Sequence, residues 1–379
     1  MSNALPYILL VIFYILLSAV SYYRNKFRLI IEVISVAVFI LFFGFRGFIF
    51  YDWSSYYPAF ESLPDVSTLF TQDWLKWGWE PGFILFASIV KELTNSYQFF
   101  VLLCTLINVI LLTRFFKLYL HILPLGFMMY FTMNGIQIST DLMRNSIAIC
   151  IFLNAIPYIQ KRKIVQYISL CLLAATFHAS ALIYIPLYFF LHKQLNKWIG
   201  LSLLVIANII YLLHIPIVKP IISLFVGLLM PSTKFWIDAY LNMDATTGSI
   251  LSIGYLERLL TATLIFCYYN KLIKRRDSPL FVNATLIFLI IFLLLSEFRT
   301  MSMRTSTLFS FGYWIVWIDL IDCFKYKNNK ILFVSFICLY SVLKTYSNCS
   351  SKVARYENVL FGESNYNERL VEFRKSMSK

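Results

Sequence analysis

Apolar runs of helix length recur from one end of the chain to the other, and short polar connections separate them. A helix needs roughly 20 apolar residues to cross the hydrocarbon core of a bilayer, with about 17 to 25 as the usual range. The pattern therefore predicts an all-α, polytopic membrane protein with about 12 transmembrane helices. The predicted spans are 4–23, 29–45, 97–113, 121–137, 142–160, 164–178, 179–192, 198–214, 250–270, 279–296, 305–323 and 331–345.

Two apolar stretches in the connections are too short to span a membrane. The stretch 81–92 opens with a proline, which suits the first position of a helix, so an interfacial or re-entrant helix is predicted there. The stretch 215–230, which two prolines interrupt, has the same character. The two spans that meet at His178 are also short, and one long helix over 164–192 is an alternative to two.

The connections alternate between short basic ones and longer ones of mixed charge. Lys and Arg concentrate in the short cytoplasmic loops of membrane proteins, so the basic connections are predicted to be cytoplasmic. The outer face then receives both termini and three long segments, 46–96, 215–249 and 346–379. The basic connections are 24–28, 114–117, 161–163, 193–197, 271–276 and 325–330.

The net charge of +14 follows from this topology and gives no support to nucleic-acid binding. With 60% apolar and 14% charged residues, the chain has no stretch of soluble composition long enough for a second domain. Residues 1–379 are therefore predicted to form a single integral membrane domain. The first apolar run lacks a charged start and a small-residue cleavage site, which predicts a retained helix rather than a signal peptide.

The sequence lacks the motifs of nucleotide and metal chemistry. Its seven cysteines include no CxxC pair, and six of them lie in or at the edge of apolar runs, so neither a disulfide framework nor a metal cluster is predicted. GxxxxGKS/T, GxGxxG after a strand, HExxH and a DxD-type pair are absent as well. A reaction is therefore expected to use an already activated substrate at the outer face, without metal, nucleotide or other cofactor.

Ionisable side chains gather at the predicted outer ends of the helices. Such groups are costly at membrane depth and usually face a cavity, a partner or a polar ligand, so their convergence predicts one polar site near the outer leaflet. The planar guanidinium suits bidentate contact with phosphate or carboxylate, and the ligand is expected to be anionic. The residues are Arg46, Asp52, Glu80, Asp141, Arg144, His178, Glu257, Arg258, Glu297, Arg299 and Arg304.

Each of these residues also has a purely structural interpretation. An arginine at a helix end can extend its guanidinium to the membrane surface. Asp141 and Arg144, three residues apart, can form an ion pair on one helix. A lone histidine such as His178 more often serves the fold than a reaction. Trp79 beside Glu80 is less easily explained by packing, because aromatic faces can also stack on sugar rings.

Six short motifs stand in order along the chain, and together they resemble one known family. The motifs are Arg46 with Asp52 and Tyr56-Tyr57, Trp79-Glu80-Pro81-Gly82-Phe83, Arg144-Asn145-Ser146-Ile147-Ala148, Phe177-His178-Ala179-Ser180-Ala181-Leu182, Arg304-Thr305-Ser306-Thr307-Leu308-Phe309 and Arg355-Tyr356-Glu357-Asn358-Val359-Leu360-Phe361. They resemble the EpsG-like branch of the Wzy family of bacterial polysaccharide polymerases. The resemblance covers most of the chain, although Asn145 stands where that family commonly has glutamine.

The resemblance implies a multi-pass glycosyltransferase of the bacterial cytoplasmic (inner) membrane that polymerises O-antigen, capsule or exopolysaccharide repeat units. Such an enzyme moves the growing glycan from its lipid pyrophosphate to a hydroxyl of a new lipid-linked unit. Undecaprenyl-pyrophosphate-linked glycan is then both donor and acceptor, and the active site faces the periplasm or the cell exterior. Membrane lipid surrounds the enzyme, a chain-length regulator and a flippase are candidate partners, and no metal or nucleotide is expected.

For this reaction our hypothesis is that arginines hold the pyrophosphate and that a histidine or carboxylate is the base. A lipid-linked oligosaccharide flippase would also present basic groups to pyrophosphate, but its charges should extend through the midplane. An O-antigen ligase or a glycan acyltransferase is a further alternative. The expected pyrophosphate clamp is Arg144, Arg258 and Arg304, supported by Arg46 and Arg299. His178 is the leading base, Asp52 or Glu80 its competitor, and Trp79, Tyr57 and Tyr356 are expected to bind the substrate.

Overall fold

The computed structural model describes residues 3–69, 71, 74–221, 252–275, 277–362 and 364–377, and all regular structure within these ranges is helical. An all-α fold is thus confirmed for the described residues. The chain forms two compact units, which we call unit 1 (Met1–Tyr188 with Leu332–Lys379) and unit 2 (Phe189–Ile331). The single membrane domain over 1–379 stays a prediction, and most of the predicted outer segment 215–249 lies outside the described residues.

The first half of the chain alternates long apolar helices with short ones in the predicted outer segment. Its helices are α1 (Leu5–Tyr23), α2 (Arg28–Phe39), α3 (Trp53–Glu61), α4 (Val66–Leu69), α5 (Pro81–Leu93), α6 (Tyr97–Tyr119), α7 (Leu123–Tyr130), α8 (Ile136–Thr140), α9 (Met143–Gln160), α10 (Ile164–Phe177) and α11 (Leu187–Phe190). A π-helical turn, Ile40–Gly44, extends α2. The helix predicted at 81–92 is confirmed as α5, with its proline at the first helical position.

The second half of the chain continues with further helices and ends in a short amphipathic one. They are α12 (Lys197–Leu212), α13 (Ile253–Leu272), α14 (Ser278–Leu294), α15 (Arg299–Thr307), α16 (Phe311–Cys323), α17 (Lys327–Cys349) and α18 (Tyr366–Met377). Short 3-10 helices, Lys352–Ala354 and Val359–Phe361, lie between α17 and α18.

Three helices in the described ranges, α1, α6 and α17, are long and apolar enough to cross a membrane. Shorter apolar helical segments are Ile164–Phe177, Ala179–Phe190, Lys197–Leu212 and Ser278–Leu294. These apolar helices indicate a membrane protein. Because most other helices are too short to qualify by length and composition, the number of about 12 transmembrane helices stays a prediction.

The predicted span 121–137 is interrupted in the structure. Met133 (φ −109°, ψ 76°) and Asn134 (φ 68°, ψ −4°) break the helix between α7 and α8. Asparagine is one of the few residues that tolerate the left-handed region. The Thr132 hydroxyl lies 2.8 Å from both the Met128 carbonyl oxygen and the Ser341 hydroxyl, so polar atoms at the break are hydrogen-bonded within the protein.

The chain reverses at His178, so 164–192 is not one long helix. α10 ends at Phe177, His178 has an extended backbone (φ −156°, ψ 121°), and a 3-10 helix, Ala179–Tyr184, follows. The Tyr167 hydroxyl donates to the Tyr184 carbonyl oxygen at 2.5 Å, which shows that the 3-10 helix folds back along α10. His178 therefore lies at the tip of a helical hairpin.

α9 is the most deeply buried long helix of unit 1 and packs against α6 and α10. Between α6 and α9 the Asn108 amide donates to the Ser146 hydroxyl at 2.8 Å. On its other side the Phe152 ring stacks on Tyr184 with centroids 3.6 Å apart. These contacts fix the start of α9, where Arg144 lies, relative to the hairpin that carries His178.

Candidate functional site

The segment that follows the π-helical turn is held by main-chain contacts with the C-terminal tail. The Gly47 N–H donates to the Glu357 carbonyl oxygen and the Phe50 N–H to the Val353 carbonyl oxygen, both at 2.9 Å. Backbone groups that pair in this way satisfy each other's hydrogen-bonding needs and hold the two segments together. The tail therefore sets the path of the loop that leads to Asp52.

α18 adds a buried arginine to this arrangement. Arg369, which is 3% exposed, donates from Nε to the Phe48 carbonyl oxygen at 2.9 Å and from Nη2 to the Arg355 carbonyl oxygen at 3.1 Å. Tyr366 stacks on Tyr57 with ring centroids 4.4 Å apart. The sequence analysis missed Arg369, because an arginine in a charged terminal helix looks solvated. Tyr57 already has Tyr366 on one ring face, and its contact with substrate stays a prediction.

Asp141 fixes the backbone at Asp52. Its Oδ1 accepts the N–H groups of Tyr51 at 2.9 Å and of Asp52 at 3.3 Å. Asp52 precedes α3 at the capping position, but its half-buried side chain makes no hydrogen bond to the first turn of that helix. The carboxylate is therefore not used to cap α3, although it lies where a capping carboxylate would be expected.

Arg46 and Tyr356 both complete the end of the second predicted span. Arg46 is 5% exposed and donates from Nη1 to the Phe43 carbonyl oxygen at 2.9 Å. The Tyr356 ring stacks on Phe42 with centroids 4.3 Å apart, and its hydroxyl donates to the Phe42 carbonyl oxygen at 2.9 Å. These contacts satisfy carbonyl groups at a helix end. The predicted substrate contacts of Arg46 and Tyr356 stay predictions.

Arg144 links three distant parts of unit 1. Its Nε donates to the Tyr56 hydroxyl at 3.0 Å, and its Nη1 donates to the Gly78 carbonyl oxygen at 3.1 Å and to Glu80 Oε2 at 2.7 Å. The Arg144 and Glu80 side chains are 21% and 18% exposed. Three acceptors hold the guanidinium in one orientation, and Nη2 has no hydrogen bond with the described residues. One face of the arginine is thus fixed while one nitrogen can still contact a ligand.

Tyr56 contacts Arg144 through its hydroxyl and Trp79 through its ring. Burial raises the pKa of Tyr56 to about 12, although the Arg144 charge opposes this shift. The hydroxyl therefore keeps its proton at neutral pH, accepts from Arg144 and has its own O–H to donate. Trp79 stacks on Tyr56 with ring centroids 5.2 Å apart. The predicted sugar contact of Trp79 stays a prediction.

Glu80 connects Arg144 to the hairpin tip. Its second oxygen, Oε1, accepts the Ala179 N–H at 3.0 Å, so both carboxylate oxygens are hydrogen-bonded. One residue further on, Ser180 Oγ donates to Asn145 Oδ1 at 3.2 Å. The residues predicted from separate motifs at 80, 144 and 178 are thus brought into one cluster in unit 1. Asn145 and Ser180, which were named in the motifs but not predicted as site residues, are parts of it.

The hydrogen bonds of His178 favour one of the two neutral tautomers of its ring. Nδ1 accepts the Ser180 N–H at 3.2 Å and lies 2.7 Å from Ser180 Oγ. A backbone N–H can only donate, which favours the neutral tautomer with Nδ1 as acceptor and the proton on Nε2, whereas the role of Nδ1 toward the Ser180 hydroxyl depends on the tautomer. Nε2 is then a hydrogen-bond donor, which changes the role that His178 can take in a reaction.

Gly82, in the first turn of α5, allows the close approach of α5 to α10. A Cβ at this position would lie 2.4 Å from Thr176 Oγ1 and 2.9 Å from the Thr176 carbonyl oxygen. We expect Gly82→Ala to lower the free energy of unfolding by about 1–3 kcal/mol, because the backbone of α10 would have to move. Thermal unfolding of purified protein measures this. Ile89→Ala, on the same helix at a side chain that is 44% exposed, should unfold near the wild-type temperature; equal unfolding of all three proteins would contradict the close-approach argument.

In unit 2, Arg258 lies against aromatic rings. Its guanidinium carbon is 3.6 Å from the centroid of the Phe292 ring, and its Nε is buried without a hydrogen-bond partner in the described part of the chain. A cation over a ring face is attracted by the ring's negative face, but the contact leaves N–H donors unused. Glu257 beside it is 5% exposed and lies 2.9 Å from the Thr261 hydroxyl, so the two neighbours have different surroundings.

The remaining predicted residues of unit 2 lie on or before α15. The Glu297 carboxylate accepts the N–H groups of Ile217 at 2.5 Å and Val218 at 2.8 Å, so it holds the backbone at these two residues. Arg299 is the first residue of α15. Arg304, in the last turn, is exposed and forms no hydrogen bond or ion pair with any described residue. The predicted site arginines therefore differ: Arg46 and Arg144 have polar protein partners, whereas Arg304 is available to a ligand.

One of the three comparisons with known proteins identifies a family. The sequence profile of the EpsG family matches residues 29–360, which is most of the chain. No curated protein and no solved structure matches it. In the described ranges no group of three or more His, Cys, Asp or Glu side chains could hold a metal ion.

Proposed function

The chain belongs to the EpsG family, and we propose that it polymerises undecaprenyl-pyrophosphate-linked oligosaccharide repeat units at the outer face of the cytoplasmic membrane. The family itself indicates a polysaccharide polymerase-like, glycosyltransferase function, membership in polysaccharide biosynthesis and lipid-linked glycan substrates. The observation that supports the finer proposal best is the cluster that Glu80 and Arg144 form with Tyr56 and the hairpin tip at His178.

The proposed reaction transfers a glycan between two lipid carriers. A sugar hydroxyl of the acceptor unit attacks the anomeric carbon of the donor glycan, and a new glycosidic bond forms. The bond between that carbon and the pyrophosphate oxygen breaks, and the lipid pyrophosphate leaves with the electron pair. The hydroxyl proton passes to a base on the protein. Two protein tasks follow: removing the proton and stabilising the charge on the leaving pyrophosphate.

Asp52 is our choice for the base within unit 1. Both oxygens of Glu80 accept protein hydrogen bonds, so it is committed to Arg144 and Ala179. The Ser180 N–H bond to Nδ1 favours the His178 tautomer that carries its proton on Nε2. It is therefore better suited to donate a hydrogen bond to the substrate than to take a proton. The Asp141 carboxylate fixes the backbone of Asp52, and the Asp52 side chain is half-buried in the predicted outer segment.

The pyrophosphate is assigned to arginines, as the sequence analysis proposed. Arg304 is exposed and Arg258 has an unused buried Nε, and both observations support contact with an anionic ligand. In unit 1 the Glu80 carboxylate balances the Arg144 charge. Arg144 is therefore proposed to orient Tyr56 and Glu80 and to contribute Nη2 to the substrate, with a smaller share in holding the pyrophosphate.

A reconstitution tests the proposed function. Purified protein in lipid vesicles receives synthetic undecaprenyl-pyrophosphate repeat units, without nucleotide or added metal, and products are separated by length on a gel. We expect a ladder of products. Movement of intact substrate across the bilayer without elongation would indicate a flippase. Transfer of the glycan or an acyl group to an acceptor without chain growth would indicate a ligase or acyltransferase.

The choice of base predicts different effects of two substitutions. Asp52→Asn should lower the elongation rate at saturating substrate by about 100-fold or more, because the proton has no acceptor. His178→Gln should retain more activity than His178→Ala, because the glutamine amide can still donate near the position of Nε2. Initial rates of ladder formation measure both. A fully active Asp52→Asn variant together with an inactive His178→Gln variant would instead make His178 the base.

A further inference from the structure

A groove between α2 and α6 lies at the opposite end of unit 1 from Asp52. α6 begins at Tyr97, whose ring lies 5.3 Å from that of Tyr57, and the groove is near its other end. Its volume of about 470 Å³ falls within the roughly 300–1,000 Å³ of small-molecule sites. It is lined by Val36, Ile110, Thr113, Arg114, Lys117 and Leu118. The basic connections at both helix ends place it on the predicted cytoplasmic side.

The groove is apolar along its length and cationic at one end. Ile110 and Leu118 are 62% and 53% exposed, so the apolar wall lies open on the protein surface. At the basic end, Glu32 is 10% exposed at its side chain and accepts from Lys117 Nζ at 2.6 Å and from Arg28 Nε at 2.9 Å. Arg114, three residues before Lys117 on α6, is exposed and lines the same groove. The basic end therefore has an excess of positive charge.

One polar atom inside the groove is unsatisfied. Thr113 Oγ1 is buried and has no hydrogen-bond partner among the residues that the structure describes. A buried hydroxyl without a partner costs about 1–3 kcal/mol, so a ligand oxygen at this point would be favourable. An apolar wall, a buried hydroxyl and an unbalanced cationic end are the three features that an amphiphile with an anionic head group satisfies together.

We propose that this groove binds one anionic phospholipid of the inner leaflet. The lipid phosphate contacts Arg114 and Lys117, a glycerol or ester oxygen accepts from Thr113, and an acyl chain lies along Ile110 and Leu118. A helix of a partner protein fits less well, because it would cover the apolar wall but leave Arg114 and Thr113 without acceptors. Basic grooves between transmembrane helices on the cytoplasmic side are suited to anionic head groups in this way.

Lipid retention tests the proposal on the intact protein. The protein is purified in neutral detergent and titrated with phosphatidylglycerol or with phosphatidylcholine, and bound lipid is counted by native mass spectrometry. Wild-type protein should bind one molecule of phosphatidylglycerol, with a higher affinity than it has for phosphatidylcholine. Arg114→Gln should weaken that binding about fivefold, which is the effect expected of one basic residue near a membrane surface. Ile110→Trp, which fills the groove without a change of charge, should weaken it as well.

Lys161→Gln is the matched control, since Lys161 is an exposed cation of another predicted cytoplasmic connection. It should bind phosphatidylglycerol like the wild type. A loss in Lys161→Gln equal to that in Arg114→Gln, or no loss in Ile110→Trp, would show attraction by general surface charge and overturn the proposal. Equal binding of the two lipids by wild-type protein would overturn it too. Far-ultraviolet circular dichroism of each variant identifies one that has failed to fold, and Leu118→Trp then replaces Ile110→Trp.

Discussion

Arg304→Ala is expected to lower the rate of polymerisation by at least about 100-fold, the cost of removing one preorganised donor from a developing negative charge. The amount of folded protein in the membrane should stay at the wild-type level. Arg304 is exposed and forms no hydrogen bond or ion pair with the described residues, and surface changes of this kind alter the free energy of unfolding by less than about 0.5 kcal/mol. The rate of ladder formation and the unfolding temperature, measured on one preparation, separate the two effects.

The matched control for Arg304 is Arg374, an exposed arginine on α18. Arg374→Ala removes the same charge and should leave both elongation and unfolding unchanged. Arg304→Lys keeps a positive charge but cannot make a bidentate contact with phosphate, so its rate should lie between those of the wild type and Arg304→Ala. A wild-type rate in Arg304→Ala would remove this residue from the site.

Local features of the sequence predicted an all-α fold and the positions of some helix ends. The proline at 81 correctly marks the first turn of α5, and the predicted turn at His178 is a sharp reversal in the structure. Such features depend on residues a few positions apart, because helix starts and apolar faces are set by near neighbours. The break at Met133 was missed for the same reason: an average over an apolar run does not register two backbone dihedrals.

Local sequence patterns could not predict contacts between residues that are far apart in the chain. Arg144 and Glu80 are 64 positions apart, and Arg369 and Phe48 are 321 positions apart. The sequence placed Arg46 and Arg144 in one class, as arginines at outer helix ends. The structure distinguishes them, because Arg46 contacts a carbonyl of its own helix end while Arg144 links Tyr56, Gly78 and Glu80. Side-chain direction and long-range packing decide such differences.

Arg144→Lys is expected to separate the catalytic from the structural role of this residue. A lysine can keep the ion pair with Glu80, but one ammonium group cannot also reach Tyr56 and the Gly78 carbonyl in the geometry of the guanidinium. The free energy of unfolding should stay within about 1.5 kcal/mol of the wild type, the usual range for a volume-conserving change. Elongation should fall at least about tenfold, because small misplacements of positioning groups are costly to rate.

Arg144→Ala should lower both the free energy of unfolding and the elongation rate further than Arg144→Lys does. It leaves the Glu80 carboxylate, 18% exposed at its side chain, without its cation, and an unsatisfied, partly buried polar group of this kind costs about 1–3 kcal/mol. Glu80→Gln together with Arg144→Ala should recover part of that stability but none of the activity, since the amide oxygen can still accept from Ala179. Arg275→Lys is the matched control: Arg275 pairs with Asp319 and Asp322 on the predicted cytoplasmic side. Arg275→Lys should lower the free energy of unfolding about as much as Arg144→Lys does, while elongation continues at the wild-type rate. If Arg275→Lys loses as much elongation as Arg144→Lys, then any weakened ion pair inactivates the protein.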